Sequence, residues 1–162
     1  GIERFPQYQA DMVRLGIGLY GVSAGDAAGD PLQTVLRLKA RIVQIRTLPG
    51  GATVSYGRSG RLERDSRIAT VSLGYADGLP RCVGNGRFAL AIRGRRAPIV
   101  GSVCMDLCMV DVTGIPQARE GDEVTVFGDH PRVEELARAA GAIPYEIFTG
   151  VAGRVRRLYV RE

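Results

Sequence analysis

Apolar and charged residues alternate one by one from Leu36 to Ile42, and this alternation constrains the fold more than any other feature of the chain. A strand with one buried and one solvated face has this period of two, so residues 34–48 are predicted to form a strand of an antiparallel sheet. After Ile42 the alternation slips by one position, which makes Val43 and Ile45 the apolar set. Such a slip predicts a β-bulge.

Similar short segments follow along the chain, separated by glycine, proline and aspartate residues that form turns. They predict strands at 68–74, 109–112, 123–127 and 156–160, and a hairpin that joins 88–92 to 98–100 about a turn at 93–96. One helix is predicted for 132–140, with Pro131 at its first position and Gly141 at its end, and a second helical turn near Pro144. The sequence therefore predicts a mainly β fold, a closed or nearly closed barrel-like sheet of about six to eight strands with one or two short helices.

Composition narrows the classes of protein to consider. The 162 residues, 45% of them hydrophobic, can bury one core, and no run approaches the ~18 apolar residues of a membrane-spanning helix. The net charge of +5 comes from scattered basic residues, which disfavours a nucleic-acid partner but leaves a basic nucleic-acid-binding barrel open as an alternative. Three cysteines without a zinc-ligand pattern suit a reducing compartment. We therefore expect a cytoplasmic protein with no metal, no membrane contact and no nucleic acid.

The candidate for chemistry is Tyr56, in the stretch GGATVSYGRSG at 50–60. Two glycines before the tyrosine and two after it, between two strand-like runs, predict a phenol on an exposed loop, where functional residues are common. Taken alone, the stretch is more typical of an ordinary tyrosine with its ring in a core and its hydroxyl in water. Other segments of the chain decide between the two interpretations.

Those segments occur in a fixed order. They are DMVRLGIGLYG at 11–21, the stretch at 50–60, VSLGYADGLPR at 71–81, GSVCMDLCMVDV at 101–112 and IPYE at 143–146. Together they closely resemble the C-terminal part of alanine racemase, an enzyme that uses pyridoxal 5′-phosphate. The resemblance covers nearly the whole chain, and its specificity comes from the order and spacing of the five segments.

The resemblance implies a domain organisation. Residues 1–21 match the end of an N-terminal (β/α)₈ barrel that is otherwise missing, with 13–20 as its last strand. Residues 22–31, rich in alanine, glycine and aspartate, are expected to be a linker, and 32–162 match the C-terminal β domain. Because the chain begins with Gly1 rather than with a signal peptide or a start methionine, we expect a piece of a longer polypeptide.

The resemblance also implies roles for individual residues. Tyr56 matches the tyrosine base that the family supplies to the active site of the partner subunit, and Met105 matches the residue whose main-chain amide contacts the substrate carboxylate. Matches to cofactor-binding positions are Arg14 at the pyridine nitrogen, the amides of Gly16 and Ile17 at the phosphate, and Tyr145 near the phosphate. The corridor through which the substrate enters is matched by Tyr75, Arg81 and Asp106. Ser102 departs from the pattern, because many relatives carry an arginine there.

Racemisation removes the α-proton from one face of an amino acid and returns a proton to the other, so two acid–base groups are needed. The family uses Tyr56's counterpart and the lysine that holds the cofactor. Lys39 is the only lysine here, and it lies on the charged face of the first strand rather than in the family's lysine motif. We therefore expect no cofactor on the isolated chain and no activity from it.

The function implied for the full-length protein is that of a homodimeric racemase interconverting L-alanine and D-alanine for peptidoglycan synthesis. Two alternatives stay open: a β-barrel binding module without catalysis, and a racemase for serine or a broader set of amino acids.

Overall fold

The computed structural model describes residues 5–23 and 32–160 of the chain. They belong to two compact units that meet in sequence between Leu36 and Arg37. Most of the linker predicted for 22–31 lies outside the described residues. None of the helices in the described ranges is long and apolar enough to cross a membrane.

The first unit contains two single turns of 3₁₀ helix, Pro6–Tyr8 and Ile17–Tyr20. The strand predicted for 13–20 is therefore wrong. A strand requires a neighbouring strand for its hydrogen bonds, and the described part of this unit contains none. The second turn closes on Gly21 in the left-handed conformation, with a φ of 76°, where a side chain would also meet the main chain of Gln33.

The second unit is built on a six-stranded antiparallel sheet. Its strands are β1 (Leu38–Leu48), β4 (Ser66–Val71), β5 (Ala89–Ile92), β6 (Arg95–Pro98), β7 (Cys108–Asp111) and β8 (Glu123–Phe127). They are ordered β6-β5-β8-β1-β4-β7. The two ends of the sheet meet, because Ile99 forms a bridge with Val110 and the Val100 amide donates to the Met109 carbonyl at 2.8 Å. The predicted fold, a mainly β and nearly closed barrel, is confirmed.

The long strand β1 contains the predicted bulge. Ile42 pairs with Val71 but Gln44 pairs with the adjacent Thr70, so Val43 is the extra residue. Val43 is 51% exposed, so the prediction that it lies on the apolar, buried face of the strand is wrong. The extra residue of a bulge has no partner opposite it, and here it turns towards solvent. The strand also begins at Leu38, four residues later than predicted.

Two helices follow the sheet, α1 (Val133–Ala140) and α2 (Pro144–Gly150). Gly141 ends α1 in the left-handed conformation, as predicted, whereas Arg132 is the residue before the helix and Pro131 precedes that. α2 begins at Pro144. The ring of its Phe148 packs edge-to-face against the ring of Phe127, with 5.8 Å between the centroids. The largest fully buried side chains of the core are Phe127, Ile42, Leu79, Leu90, Ile92, Ile99 and Leu136.

The sequence predicted the positions of most strands, but it predicted their first and last residues less accurately. β4 covers Ser66–Val71 rather than 68–74, and the hairpin turn is the pair Arg93 and Gly94, with φ of 50° and 73°. Two left-handed residues match the right-handed twist of a tight hairpin, so the returning strand starts at Arg95 instead of 98. The closing strand at 156–160 is wrong, since these residues are exposed and form no ladder within the described range.

Asp122, in the turn before β8, gives this unit a pH-dependent contact. Its carboxylate accepts hydrogen bonds from Arg93 Nε at 2.6 Å, Arg93 Nη2 at 2.7 Å and the Arg119 amide at 3.0 Å. The hydrogen bonds from Arg93 lower the pKa of Asp122 to about 2, with the Arg119 amide and the charges of both arginines acting in the same direction.

A carboxyl group whose pKa is lower in the folded state stabilises the fold above its unfolded pKa, and that contribution disappears as the pH falls through the folded pKa. Asp122→Asn should therefore lower the thermal midpoint at pH 6, and its deficit relative to the wild type should shrink between pH 4 and pH 2, roughly the interval between the two pKa values. Glu123→Gln, which removes an exposed ion pair with Lys39, is the control and should change little. A deficit that stays constant down to pH 2 would contradict this account.

Candidate active site

Tyr56 lies at the tip of a two-stranded ribbon formed by β2 (Thr53–Val54) and β3 (Gly60–Arg61). We call residues 55–59 between these strands the Tyr56 loop. Its backbone is unusual, since Ser55, Gly57 and Arg58 all have positive φ, at 72°, 64° and 56°. The tyrosine itself is 78% exposed, which confirms the predicted exposed phenol.

The Tyr56 loop rests on a second loop, residues 101–107, which we call the Met105 loop. Ser55 Oγ donates to the Ser102 carbonyl at 2.8 Å, Ser59 Oγ and Ser102 Oγ are 2.9 Å apart, and the Ser102 amide donates to Ser59 Oγ at 2.9 Å. The backbones approach closely because Gly60 and Gly101 lack side chains. A Cβ on Gly101 would lie 2.6 Å from that of Ser55.

The Met105 loop is bonded in turn to residues 74–79, the Tyr75 turn. The Tyr75 amide donates to the Cys104 carbonyl at 2.9 Å and the Ala76 amide to the Met105 carbonyl at 3.0 Å. Met105 is 53% exposed, so its side chain does not belong to the core. Within the described ranges no acceptor is bonded to the Met105 amide, which leaves this N–H available to an anionic group.

Ion pairs of Arg154, which we call the Arg154 bridge, link the Met105 loop and the Tyr75 turn to the C-terminal segment. Arg154 donates from Nε to Asp77 Oδ1 at 2.8 Å and from Nη2 to Asp106 Oδ1 at 2.6 Å, and these bonds, the one to Asp77 first, raise the pKa of Arg154. Asp77 Oδ2 also accepts from the Gly74 amide at 2.9 Å. The bridge was missed in the sequence, where Arg154 is only one member of a basic group. An isolated Asp77 or Asp106 gives no signal of a partner so far along the chain.

The structure thus brings Tyr56, Met105, Tyr75 and Asp106 onto three loops joined by hydrogen bonds. Arg81 and Tyr145 are exposed, Arg81 in a 3₁₀ turn that packs against α1 and Tyr145 in the first turn of α2. Among the described residues, no hydrogen bond connects either side chain to these loops.

Residues proposed to bind the cofactor from the first unit lie around its second 3₁₀ turn. Arg14 and Gly16 are exposed, and Ile17, which starts the turn, is buried. In the second unit, Lys39 Nζ is ion-paired with Glu123 Oε1 at 2.7 Å across β1 and β8. Arg58, the cation nearest to Tyr56 in sequence, donates from Nε to Thr53 Oγ1 at 3.2 Å.

With this geometry in place, comparison with known proteins assigns the family. The family model described as the C-terminal domain of alanine racemase matches residues 35–159. The chain belongs to this family. It is 45% identical to the alanine racemase of Rhizobium meliloti over 94% of this chain and 44% of that protein, and 45% identical to the one of Desulfovibrio desulfuricans over 96% and 42%.

Solved alanine racemases share the fold. The biosynthetic enzyme of Pseudomonas aeruginosa superimposes with a TM-score of 0.87 at 40% identity, over 93% of this chain and 43% of that one. The enzyme of Bartonella henselae, solved with covalently bound pyridoxal phosphate, gives 0.88 at 37% identity, over 93% and 42%. This alanine racemase C-terminal chain therefore spans less than half the length of the relatives it matches.

The residues of the alanine racemase chain fit pyridoxal phosphate only in part. An exposed guanidinium at Arg14 and main-chain amides at Gly16 and Ile17 are suitable donors for a ring nitrogen and a phosphate. The single lysine, Lys39, lies on the sheet in an exposed ion pair with Glu123 and belongs to none of the loops around Tyr56. The unit that holds these donors contains no lysine.

Neither a nucleophilic Cys108 nor a cluster of metal ligands is supported in the described ranges. Cys108 is completely buried, and this burial, with a smaller contribution from Cys104, raises the pKa of its thiol to about 12, which disfavours a nucleophilic thiolate. Within 5–23 and 32–160, no three His, Cys, Asp or Glu side chains are grouped to hold a metal ion.

Proposed function

We propose that this chain is the C-terminal part of an alanine racemase that depends on pyridoxal phosphate, interconverts L-alanine and D-alanine, and receives Tyr56 from the partner subunit as one of its two acid–base groups. One observation carries the proposal. The loop that carries an exposed phenol is held by hydrogen bonds beside a second loop, whose Met105 amide has no acceptor among the described residues. The proposal includes the domain organisation given above, with the barrel end at 1–21, the linker at 22–31 and the β domain at 32–162.

The two groups have complementary tasks in racemisation. The amide of Met105 donates to the substrate carboxylate and so fixes which face of the α-carbon the phenol meets. Tyr56 Oη removes the α-proton from that face or returns one to it. When bound, the cofactor supplies the electron withdrawal that makes the α-proton acidic. The exposure of Tyr56 supports a role in a site completed by another subunit, since a phenol serving only its own core would be buried.

Other residues of the chain are assigned to the cofactor and the substrate path. Arg14 faces the ring nitrogen, where a permanently charged guanidinium gives up no proton, so the ring remains a weaker electron sink and racemisation is favoured over transamination. Gly16, Ile17 and Tyr145 bind at the phosphate. The path by which the substrate enters is lined by Tyr75, Arg81 and Asp106. Because Asp106 is paired with Arg154, we assign its carboxylate to holding the Met105 loop.

The wider role proposed is the supply of D-alanine for peptidoglycan synthesis in the cytoplasm. The substrate class rests on the names of the relatives, which are alanine racemases. Serine or a broader set of amino acids is the alternative, and kinetics with L-serine beside L-alanine decides between them.

Subunit complementation tests whether Tyr56 acts across a dimer. Tyr56→Phe subunits of the whole enzyme are mixed, under conditions that exchange subunits, with subunits whose cofactor-holding lysine is replaced by alanine. A homodimer of either variant has two inactive sites. In a heterodimer, one site combines the intact lysine of one subunit with the intact Tyr56 of the other, so a statistical mixture should recover about a quarter of the wild-type activity.

The control mixes each variant with itself, which should stay inactive. Failure to recover activity although mass spectrometry shows heterodimers would place Tyr56 in the site of its own subunit and overturn the proposed sharing. If the Tyr56→Phe parent is already fully active, Tyr56 is not an acid–base group at all.

A further inference from the structure

Both ends of the Tyr56 loop are tied to one residue. Ser55, before the tyrosine, donates from Oγ to the Ser102 carbonyl at 2.8 Å. Ser59, at the other end, lies with its Oγ 2.9 Å from Ser102 Oγ and accepts the Ser102 amide at 2.9 Å. Ser102 thus makes three hydrogen bonds to a segment of five residues, and it precedes Met105 by three positions.

The backbone at Ser55 needs this restraint. With φ of 72° and ψ of 174° it occupies a region that is almost exclusive to glycine. Residues in such conformations persist only where their surroundings fix them, and they concentrate at functional sites. At Ser55 the surroundings are the Ser102 carbonyl, which accepts from its hydroxyl, the Cys104 Sγ 3.7 Å from that hydroxyl, and the close backbone of Gly101, where an added Cβ would lie 2.6 Å from the Cβ of Ser55.

We propose that Ser55, Ser59 and Ser102 form a hydroxyl clamp that positions Tyr56 relative to the Met105 amide. The clamp joins the loop of the proposed base to the loop of the proposed carboxylate donor through three hydrogen bonds, so it sets the distance at which the phenol meets the α-carbon. Ser55 and Ser59 are positioning residues that touch neither substrate nor cofactor. This inference rests on the proposed function of Tyr56.

The kinetic test uses the whole enzyme with Ser55→Ala, Ser59→Ala and the double variant. A misplacement of about 1 Å can cost on the order of 100-fold in rate, so the double variant should lose about 10- to 100-fold in α-proton exchange of L-alanine with solvent. Exchange of D-alanine, assigned to the lysine on the other face, should remain within about twofold, a selectivity that a general loss of structure would not give. Ser59→Thr keeps a hydroxyl and should recover most of the activity lost in Ser59→Ala.

Ser72→Ala is the matched control, because Ser72 is exposed like Ser59 and, like Ser55, donates from Oγ to a main-chain carbonyl, that of Arg41 at 3.2 Å. It should leave the exchange of both enantiomers unchanged. An equal loss for L-alanine and D-alanine in the double variant, or no loss in either, would overturn the positioning role.

A second readout does not depend on catalysis. Hydrogen–deuterium exchange by mass spectrometry reports on the Ser102 amide, which should exchange about tenfold faster in Ser59→Ala because its acceptor is removed, and not in Ser72→Ala. Unchanged protection of Ser102 would disprove the clamp even where Tyr56→Phe is inactive. If Ser102 exchanges faster in Ser59→Ala but Tyr56→Phe is fully active, the clamp exists as a structural contact. Its proposed role in positioning a catalytic tyrosine is then rejected.

Discussion

Tyr56→Phe in the whole enzyme is expected to lower racemisation by about 10²- to 10⁴-fold, the usual contribution of a positioned acid–base group. The substitution removes one hydroxyl and keeps the ring. Since Tyr56 is 78% exposed and none of the hydrogen bonds that hold its loop uses its hydroxyl, fold and cofactor binding should be unaffected. Steady-state rates in both directions, with cofactor absorbance as a check on binding, measure the effect.

Both directions must slow together, because the two enantiomers have equal free energy and their equilibrium constant is one. The two faces are separated by exchange of the α-proton with deuterated solvent. Without the phenol, the lysine still exchanges the α-proton of one enantiomer while exchange of the other collapses. The resemblance to the family assigns the surviving exchange to D-alanine and the collapsed one to L-alanine.

Tyr159→Phe is the matched control, since Tyr159 is 93% exposed and belongs to none of the three joined loops. It should retain the wild-type rates. If Tyr56→Phe exchanges both enantiomers as fast as this control, Tyr56 is an ordinary loop tyrosine and the proposed function fails.

The sequence predicts those parts of the fold that depend on local patterns. Alternation identified β1, the phase slip located its bulge, and Gly141 marked the end of α1 because its left-handed conformation suits glycine. The exposure of Tyr56 followed from the glycines around it. Each of these features is determined by residues that are close together in the chain.

Features that depend on distant partners could not be predicted in this way. The strands expected at 13–20 and 156–160 contain apolar residues but have no partner strand within the described residues, and pairing rather than composition makes a strand. The Arg154 bridge joins residues separated by 48 and 77 positions, and the bonds of Ser102 to the Tyr56 loop join residues separated by 43 and 47. Such contacts become visible only when the sheet order is known.

Gly74 is the position where one added methyl group should disturb both the fold and the site. Its φ of −141° and ψ of −165° are ordinary extended values, so alanine can adopt this backbone conformation without strain. The obstacle is space, because a Cβ would overlap the carbonyls of Met105 and Cys104. Both are main-chain atoms that accept hydrogen bonds from the Tyr75 turn, and neither can move without breaking a bond to it.

Gly74→Ala should therefore push the Met105 loop away from the Tyr75 turn. Overpacking of this kind costs about 1–3 kcal/mol or more, which should lower the thermal midpoint by several degrees. The displaced Met105 amide should also raise the KM for alanine, since it would no longer meet the carboxylate at hydrogen-bond distance. Gly114→Ala is the control, because no described residue other than its chain neighbours has an atom within 4 Å of the position its methyl would occupy, and its stability should change by less than about 0.5 kcal/mol. If Gly74→Ala matches Gly114→Ala in both thermal midpoint and KM, the Met105 loop is not held as the structure places it. A lower midpoint with an unchanged KM would instead remove Met105 from the substrate site while leaving its packing against Gly74 intact.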